Sequence, residues 1–222
     1  MLKGVIFDMD GVLIDSHPIH KRAWKKFFET LELSVSDREL DFVLDGRKKE
    51  DILRHFLGEL CDSEIKYYGH QKEALFREEA MQIEPISGVM ELLEELTGRG
   101  IVIALASCGS QSRVRYILDQ LKIHDRFEAI VTADDIRHGK PDPEVFCKAA
   151  DYLGVEREEL IVCEDAVSGV KAAKAAGIRC LGVGEPSRAA ELLQAGAERV
   201  VPNFACMSVA ELETMLTPSL HS

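Results

Sequence analysis

Four short polar clusters could do chemistry if the fold brought them together. They are Asp8-Met9-Asp10-Gly11, Ser107-Cys108-Gly109, Lys140 within Gly139-Lys140-Pro141-Asp142-Pro143, and Glu164-Asp165. Asp8 and Asp10 lie one residue apart behind an apolar run, so at a strand exit their side chains point the same way. Two carboxylates held like that repel unless a cation or a shared proton relieves them. Gly11 permits a sharp exit that brings backbone close to a ligand. A hydroxyl with free amides at a helix start, as at Ser107, makes an anion site. Taken singly, each cluster also has an ordinary reading. These are an Asp-Gly turn, a helix N-cap, a solvated loop lysine, and acids complementing a helix dipole.

The elements that must position these clusters follow from periodicity. Leu2 to Phe7 reads as a buried strand, and helical patterns then run without interruption to about Glu84. His17 to Leu33 carries Ile19, Ala23, Trp24, Phe27, Phe28 and Leu31 at helical spacing. Ser36 with Glu39 is a capping-box signature for a second helix through Leu44. Gly46 precedes a third helix with Ile52, Leu53 and Phe56, and a fourth runs from about Asp62 to Met81. Beyond Pro85, apolar runs near 101–105, 129–132, 160–163 and 178–183 alternate with helices. That alternation predicts an α/β fold, a Rossmann-like parallel sheet with helices on both faces. Residues 1–14 and 84–222 form this core, with residues 15–83 inserted as a four-helix cap domain.

In such sheets ligands bind beyond the carboxyl ends of the strands, where all four clusters fall. Together they supply four carboxylates, a hydroxyl, an amine and several amides. This set suits Mg²⁺, which prefers oxygen ligands and keeps waters and substrate phosphate. The lysine and Ser107 would hold a phosphoryl group. No Gly-rich Lys-Ser/Thr loop and no Cys/His metal spacing is present. The chemistry implied is phosphoryl transfer through an aspartyl-phosphate, one Asp attacking phosphorus and a second moving the proton.

In order and spacing these motifs resemble the haloacid dehalogenase superfamily of aspartyl phosphotransferases over nearly the whole chain. The resemblance implies that Asp8 is the nucleophile and Asp10 the general acid/base. It places Mg²⁺ on Asp8, the Asp10 carbonyl and Asp165, with Glu164 ligating or acting through water. Ser107, the Cys108 amide and Lys140 would grip the phosphate. Within the superfamily, Asp15-Ser16, His20, Trp24, Gly46-Arg47 and Glu164-Asp165-Ala166 through Gly169 look like the subgroup of β-phosphoglucomutases and small sugar-phosphate phosphatases. His20 and Trp24 share a helix face that could meet the catalytic edge. Arg47, Lys49 and Lys72 are the cap cations expected to touch substrate. Lys72-Glu73 and Ser107-Cys108-Gly109-Ser110 look more like the phosphatase members than the mutase. A metal-free dehalogenase would leave Asp10 and the second acidic pair without a role, and a silent binding module would not need the full set.

Composition sets the outer limits. The 222 residues, 46% hydrophobic, can bury one good core and a smaller second unit. A net charge of −12 argues against nucleic acid or an anionic membrane as a partner, so the partner expected is a small phosphorylated substrate. No apolar run approaches membrane-spanning length. The six cysteines form no Cys-x-x-Cys pair, which fits reduced thiols in a cytoplasmic protein. A monomer is the default expectation for a capped two-part enzyme.

Overall fold

The computed structural model describes residues 1–80 and 83–216. Six parallel strands form one sheet in the order β3-β2-β1-β4-β5-β6. They are β1 (Gly4–Phe7), β2 (Val102–Ala106), β3 (Ala129–Val131), β4 (Leu160–Glu164), β5 (Arg179–Val183) and β6 (Arg199–Val201). The order reverses at β1, which pairs with β2 on one side and β4 on the other. That reversal opens a crevice at the strand exits beside β1. In register, Phe7 stands opposite Leu105 and Cys163. One residue further, Asp8 is therefore level with Ala106 and Glu164, and the Asp8 amide still donates to the Cys163 carbonyl at 3.0 Å.

Alternation along β1 sends Val5 and Phe7 to one face and Ile6 to the other. The first face is covered by α5 (Val89–Gly98), α6 (Gln111–Leu121) and α10 (Val209–Leu216), which contribute Leu92, Ile117 and Leu212. The second is covered by α7 (Glu144–Leu153), α8 (Val167–Ala175) and α9 (Ala189–Ala195), with Phe146, Val170 and Leu192. Small residues on α8, Ala172 and Ala173, let that helix lie close to the sheet.

Between β1 and β2 the chain forms α1 (His17–Thr30), α2 (Asp37–Leu40), α3 (Lys49–Leu57) and α4 (Asp62–Glu79). These helices enclose a separate aromatic cluster in which Trp24 stacks on Phe28 with ring centroids 5.4 Å apart. The Ser36–Glu39 capping box forms, but the helix it starts tightens into a 3₁₀ turn over Asp41–Leu44 rather than running on to Leu44. Asp41-Phe42-Val43-Leu44 lacks good helix formers except its last residue, so a short tight turn is the cheaper continuation. The expected end of the fourth helix at Met81 lies outside the described residues. Ile19, Ala23, Phe76 and Ala80 pack into the core cluster instead, which ties α1 and α4 to the sheet. The loop before α3 is tied down as well. Ser168 donates to Asp45 through its hydroxyl and its amide, and Lys48 Nζ donates to the Ile136 carbonyl at 2.9 Å.

Candidate active site

β1 is only four residues long and fully buried, so Asp8 emerges at the rim with 6% of its surface exposed. Lys140, held in the loop before α7, has a side chain with no exposure at all. Its Nζ donates to Asp8 Oδ1 at 2.5 Å and to Glu164 Oε1. The lysine is thereby held well above its ordinary pKa by these two carboxylates, although burial opposes it. Burial, together with the Glu164 and Asp10 charges, pushes Asp8 up to about 7 even beside Lys140. Glu164 closes β4 and spends its other oxygen on the Ala166 amide at 2.7 Å. Both Glu164 oxygens are thus occupied within the protein. Gly169 is the reason it fits, since a Cβ there would lie 1.8 Å from Glu164 Oε1.

Asp165 points into the crevice. Its Oδ2 is buried and has no well-directed donor, although His17 Nε2 stands 3.1 Å away and Arg188 Nη1 3.6 Å away. Burial raises the Asp165 pKa against the effect of His17. A Cβ at Gly11 would come within 2.4 Å of the same oxygen, so the glycine keeps the space beside it clear. No three acidic, His or Cys side chains among the described residues form a ready cation cage. Two crowded carboxylates, one with an orphaned oxygen, are nevertheless the donor set of a cation that takes one or two carboxylates plus water and phosphate.

Ser107 follows β2, 1% exposed, with its Oγ accepting from the Gly109 amide at 3.0 Å. The hydroxyl proton remains available to a ligand. Cys108 lines the same cleft, its thiol pushed up in pKa by burial. Asp10 faces the other way along the rim, toward α1 and α6. Its Oδ1 accepts from Ser16 Oγ at 2.6 Å and Arg113 Nη1 at 2.8 Å, and its Oδ2 accepts from Arg113 Nη2 at 2.7 Å. His20 Nε2 is 3.3 Å from Oδ1. Although burial opposes it, Arg113 and His20 hold the Asp10 carboxyl well below the ordinary range.

The insert supplies the opposite wall. His20, Trp24, Gly46, Arg47, Lys49 and Lys72 all line the cleft that holds Asp8 and Asp165. His20 and Trp24 do share a face of α1. Trp24 is 1% exposed, so it is at once core and cleft wall. Lys72 Nζ lies 3.1 Å from His20 Nδ1 and over the Trp24 and Phe76 rings at 5.2 and 4.9 Å. Among the described residues no carboxylate lies within ion-pair distance of it, and burial lowers it to about 7, with Arg113 adding to the effect. Burial and the Lys72 charge drive His20 down to about 3. Arg47 leans on Phe42 and pairs with Asp45 at 3.1 Å, leaving a buried Nε without a partner. Lys49 crosses α4 at Gly69, where a Cβ would meet its Cε at 2.6 Å.

Sequence reasoning missed His17, Arg188 and Arg113. His17 opens α1 and Arg188 precedes α9, and nothing in their local pattern marks them. Arg113 had a signal. It falls four residues before Ile117 on the buried stripe of α6, where a charged residue needs a partner.

Residues 5–183 match the model of the haloacid dehalogenase-like hydrolases. The chain is 36% identical over 194 residues to a β-phosphoglucomutase of Bacillus subtilis, covering 83% of this chain and 84% of that protein. It is 32% identical over 214 residues to a phosphorylated carbohydrates phosphatase of Thermotoga maritima, covering 90% and 94%. A crystal structure of a family IA, variant 3 hydrolase of Entamoeba histolytica superposes with a TM-score of 0.87 at 28% identity, covering 97% and 99%. By sequence match and by fold, this chain belongs to the haloacid dehalogenase-like hydrolases.

Proposed function

We propose that the protein is a Mg²⁺-dependent phosphatase of small phosphorylated metabolites, sugar phosphates foremost, acting through an aspartyl-phosphate on Asp8. One observation carries the reading. Asp8 stands at the centre of a single rim with Lys140 at 2.5 Å and with Ser107 and the orphaned oxygen of Asp165 facing the same cleft. Asp8, Asp165 and the Asp10 carbonyl are the groups that would hold Mg²⁺. Bound there, the ion would offset the charge that the Asp8 carboxylate and a phosphoryl group bring together. Asp8 Oδ attacks phosphorus while Asp10 gives a proton to the departing sugar oxygen. Asp10 then takes a proton from the water that attacks the aspartyl-phosphate, which releases phosphate and restores Asp8. Ser107, the Cys108 amide and Lys140 hold the phosphoryl group. Residues 15–83 act as a cap that covers the cleft and shields it from bulk water during the step. A monomer in a reducing cytoplasm suits the six free thiols.

The test is phosphate release from a panel of sugar phosphates with Mg²⁺, with chelator, and with Asp8→Asn. Release that needs Mg²⁺ and disappears in the variant is expected. A folded protein that turns over nothing in the panel would reject the reading.

A second reading, β-phosphoglucomutase, is favoured by the Bacillus subtilis relative and by Arg47, Lys49 and Lys72 on the cap wall. A mutase must seat a second phosphate there, whereas Glu50 and Glu73 line the same cleft and each keeps a buried oxygen without a hydrogen-bond partner. Those carboxylates favour hydrolysis. Formation of glucose 6-phosphate from β-glucose 1-phosphate, stimulated by the 1,6-bisphosphate, would reverse the preference.

A further inference from the structure

Three cations stand side by side on the insert, Arg47, Lys48 and Lys49, and they do not face the same way. Arg47 and Lys49 line the cleft that holds Asp8, whereas Lys48 does not. The Lys48 ammonium is spent on the core instead, donating to the Ile136 carbonyl at 2.9 Å. Its stem lies along Gly139, where a Cβ would meet Lys48 Cγ at 2.6 Å and the Lys48 amide nitrogen at 3.1 Å. Ile136 and Gly139 bracket Arg137 and His138, and Lys140 follows at once. From the core side, Glu144 Oε2 accepts from the Arg137 and His138 amides at 2.8 and 3.0 Å. The loop that presents Lys140 is therefore held from two directions, one of them the insert. Gly46 completes the cover, since a Cβ there would lie 3.3 Å from Lys140 Cδ. Beneath this strap the Lys140 side chain has no exposure. A lysine kept only for solubility would gain nothing by fixing its long stem, which costs rotamer entropy.

We infer that Lys48 is a positioning residue for phosphoryl transfer, fixing from the insert the loop that delivers Lys140 to Asp8. The part that Lys140 plays in that step rests on the phosphatase reading. Lys48 acts through Lys140 and touches no substrate. Seating the insert and setting Lys140 in place are then a single event, so a phosphoryl group meets a placed cation only under a seated insert.

One arm of the test needs no substrate. Amine acetylation read by mass spectrometry reports how often Lys140 is uncovered, with exposed Lys3 as the internal reference. Lys48→Met keeps the stem and loses the donor, and the native side chain does not cap α3, so that helix start is untouched. In this variant Lys140 should react about tenfold faster than in the wild-type protein. Lys48→Arg, which can still donate, should protect Lys140 as before. Lys72, buried in the insert, should react no faster in either variant. Unchanged protection of Lys140 in Lys48→Met, or faster reaction of Lys72 along with it, would overturn the inference. The second arm is kinetic, with Mg²⁺ and with para-nitrophenyl phosphate and a hexose phosphate as substrates. Lys48→Met should lower kcat about tenfold on both, with KM within about twofold, because placement of Lys140 matters most in the transition state. Lys48→Arg should restore kcat. A raised KM confined to the hexose phosphate, a loss that Lys48→Arg does not restore, or a kcat equal to wild type would each overturn the inference. If the wild-type protein hydrolyses neither ester, the phosphatase reading falls, and the labelling arm still decides whether Lys48 places Lys140.

Discussion

The two walls of the cleft are built on opposite electrostatic plans. On the sheet rim Lys140, Asp8 and Glu164 neutralise one another through short connections from strand ends, and Asp165 keeps an oxygen without a directed donor beside them. On the insert wall, Lys72 is buried over aromatic rings with only a neutral imidazole beside it, and Arg47 keeps an unpartnered Nε. The rim is paired except at Asp165, whereas the insert wall buries cations that lack a carboxylate or leave a nitrogen unpartnered. Under the proposed function, that division would separate a wall that performs a fixed reaction from one that chooses what is presented to it.

The sharpest way to break the comparison is Asp8→Asn. If the rim carries the chemistry, turnover of any phosphate ester should fall by about 10⁴-fold or more, whatever the cap touches. The Lys140–Glu164 contact survives this change, so urea unfolding should move little. A residual activity within tenfold of wild type would move the nucleophile elsewhere.

Lys140→Met tests the claim that Lys140, Asp8 and Glu164 neutralise one another. It strands Asp8 and Glu164, both nearly inaccessible, without their shared cation. Removing one partner of such a set costs roughly 3–5 kcal/mol, which a urea titration would read as a lower midpoint at unchanged slope. An unchanged midpoint would mean that the rim carries less charge than its contacts imply.

The same contrast explains what could be read from the sequence. The rim clusters are each contiguous, and each falls at a strand exit, so a parallel sheet, which puts all its strand exits on one edge, was enough to bring them together. Asp8, Ser107 and Glu164 needed no side-chain geometry to be placed. The insert depends on how four helices pack, which periodicity alone does not fix. His20 and Trp24 were legible because residues four apart share a face. The burial of Lys72 was not, because it depends on how α1 packs on α4, nor was the role of Lys48 as a tie to Ile136, which depends on a contact between insert and core. Arg113 lies between these cases. Its position on the buried stripe of α6 was visible, but its partner lies more than a hundred residues away.

Lys72 gives the comparison a pH axis. Its pKa, about 7 against an ordinary 10.5, is depressed by burial. Between those two values the unfolded chain binds the proton that the native protein does not, so the stability contributed at this site rises with pH. Lys72→Met should therefore be more stable than wild type near pH 7, by about 1–3 kcal/mol. The advantage should shrink as pH approaches 10.5 in a series of urea titrations. Turnover should move in the opposite sense, falling about tenfold, because the cap wall loses a cation that the substrate would neutralise. A variant both less stable and fully active would reverse the assignment of Lys72 to the cleft.

Arg47 carries the smallest expected effect. Its side chain is 31% exposed and already leans on Asp45 and Phe42, so part of its charge is screened before substrate arrives. Arg47→Ala should raise KM for a sugar phosphate by about fivefold, with kcat nearly unchanged, the signature of binding shared by ground and transition states. For para-nitrophenyl phosphate, which has no sugar hydroxyls to place against the cap, KM should not move. A fall in kcat on both substrates would mean that Arg47 acts on the rim, and the two walls would no longer divide the work.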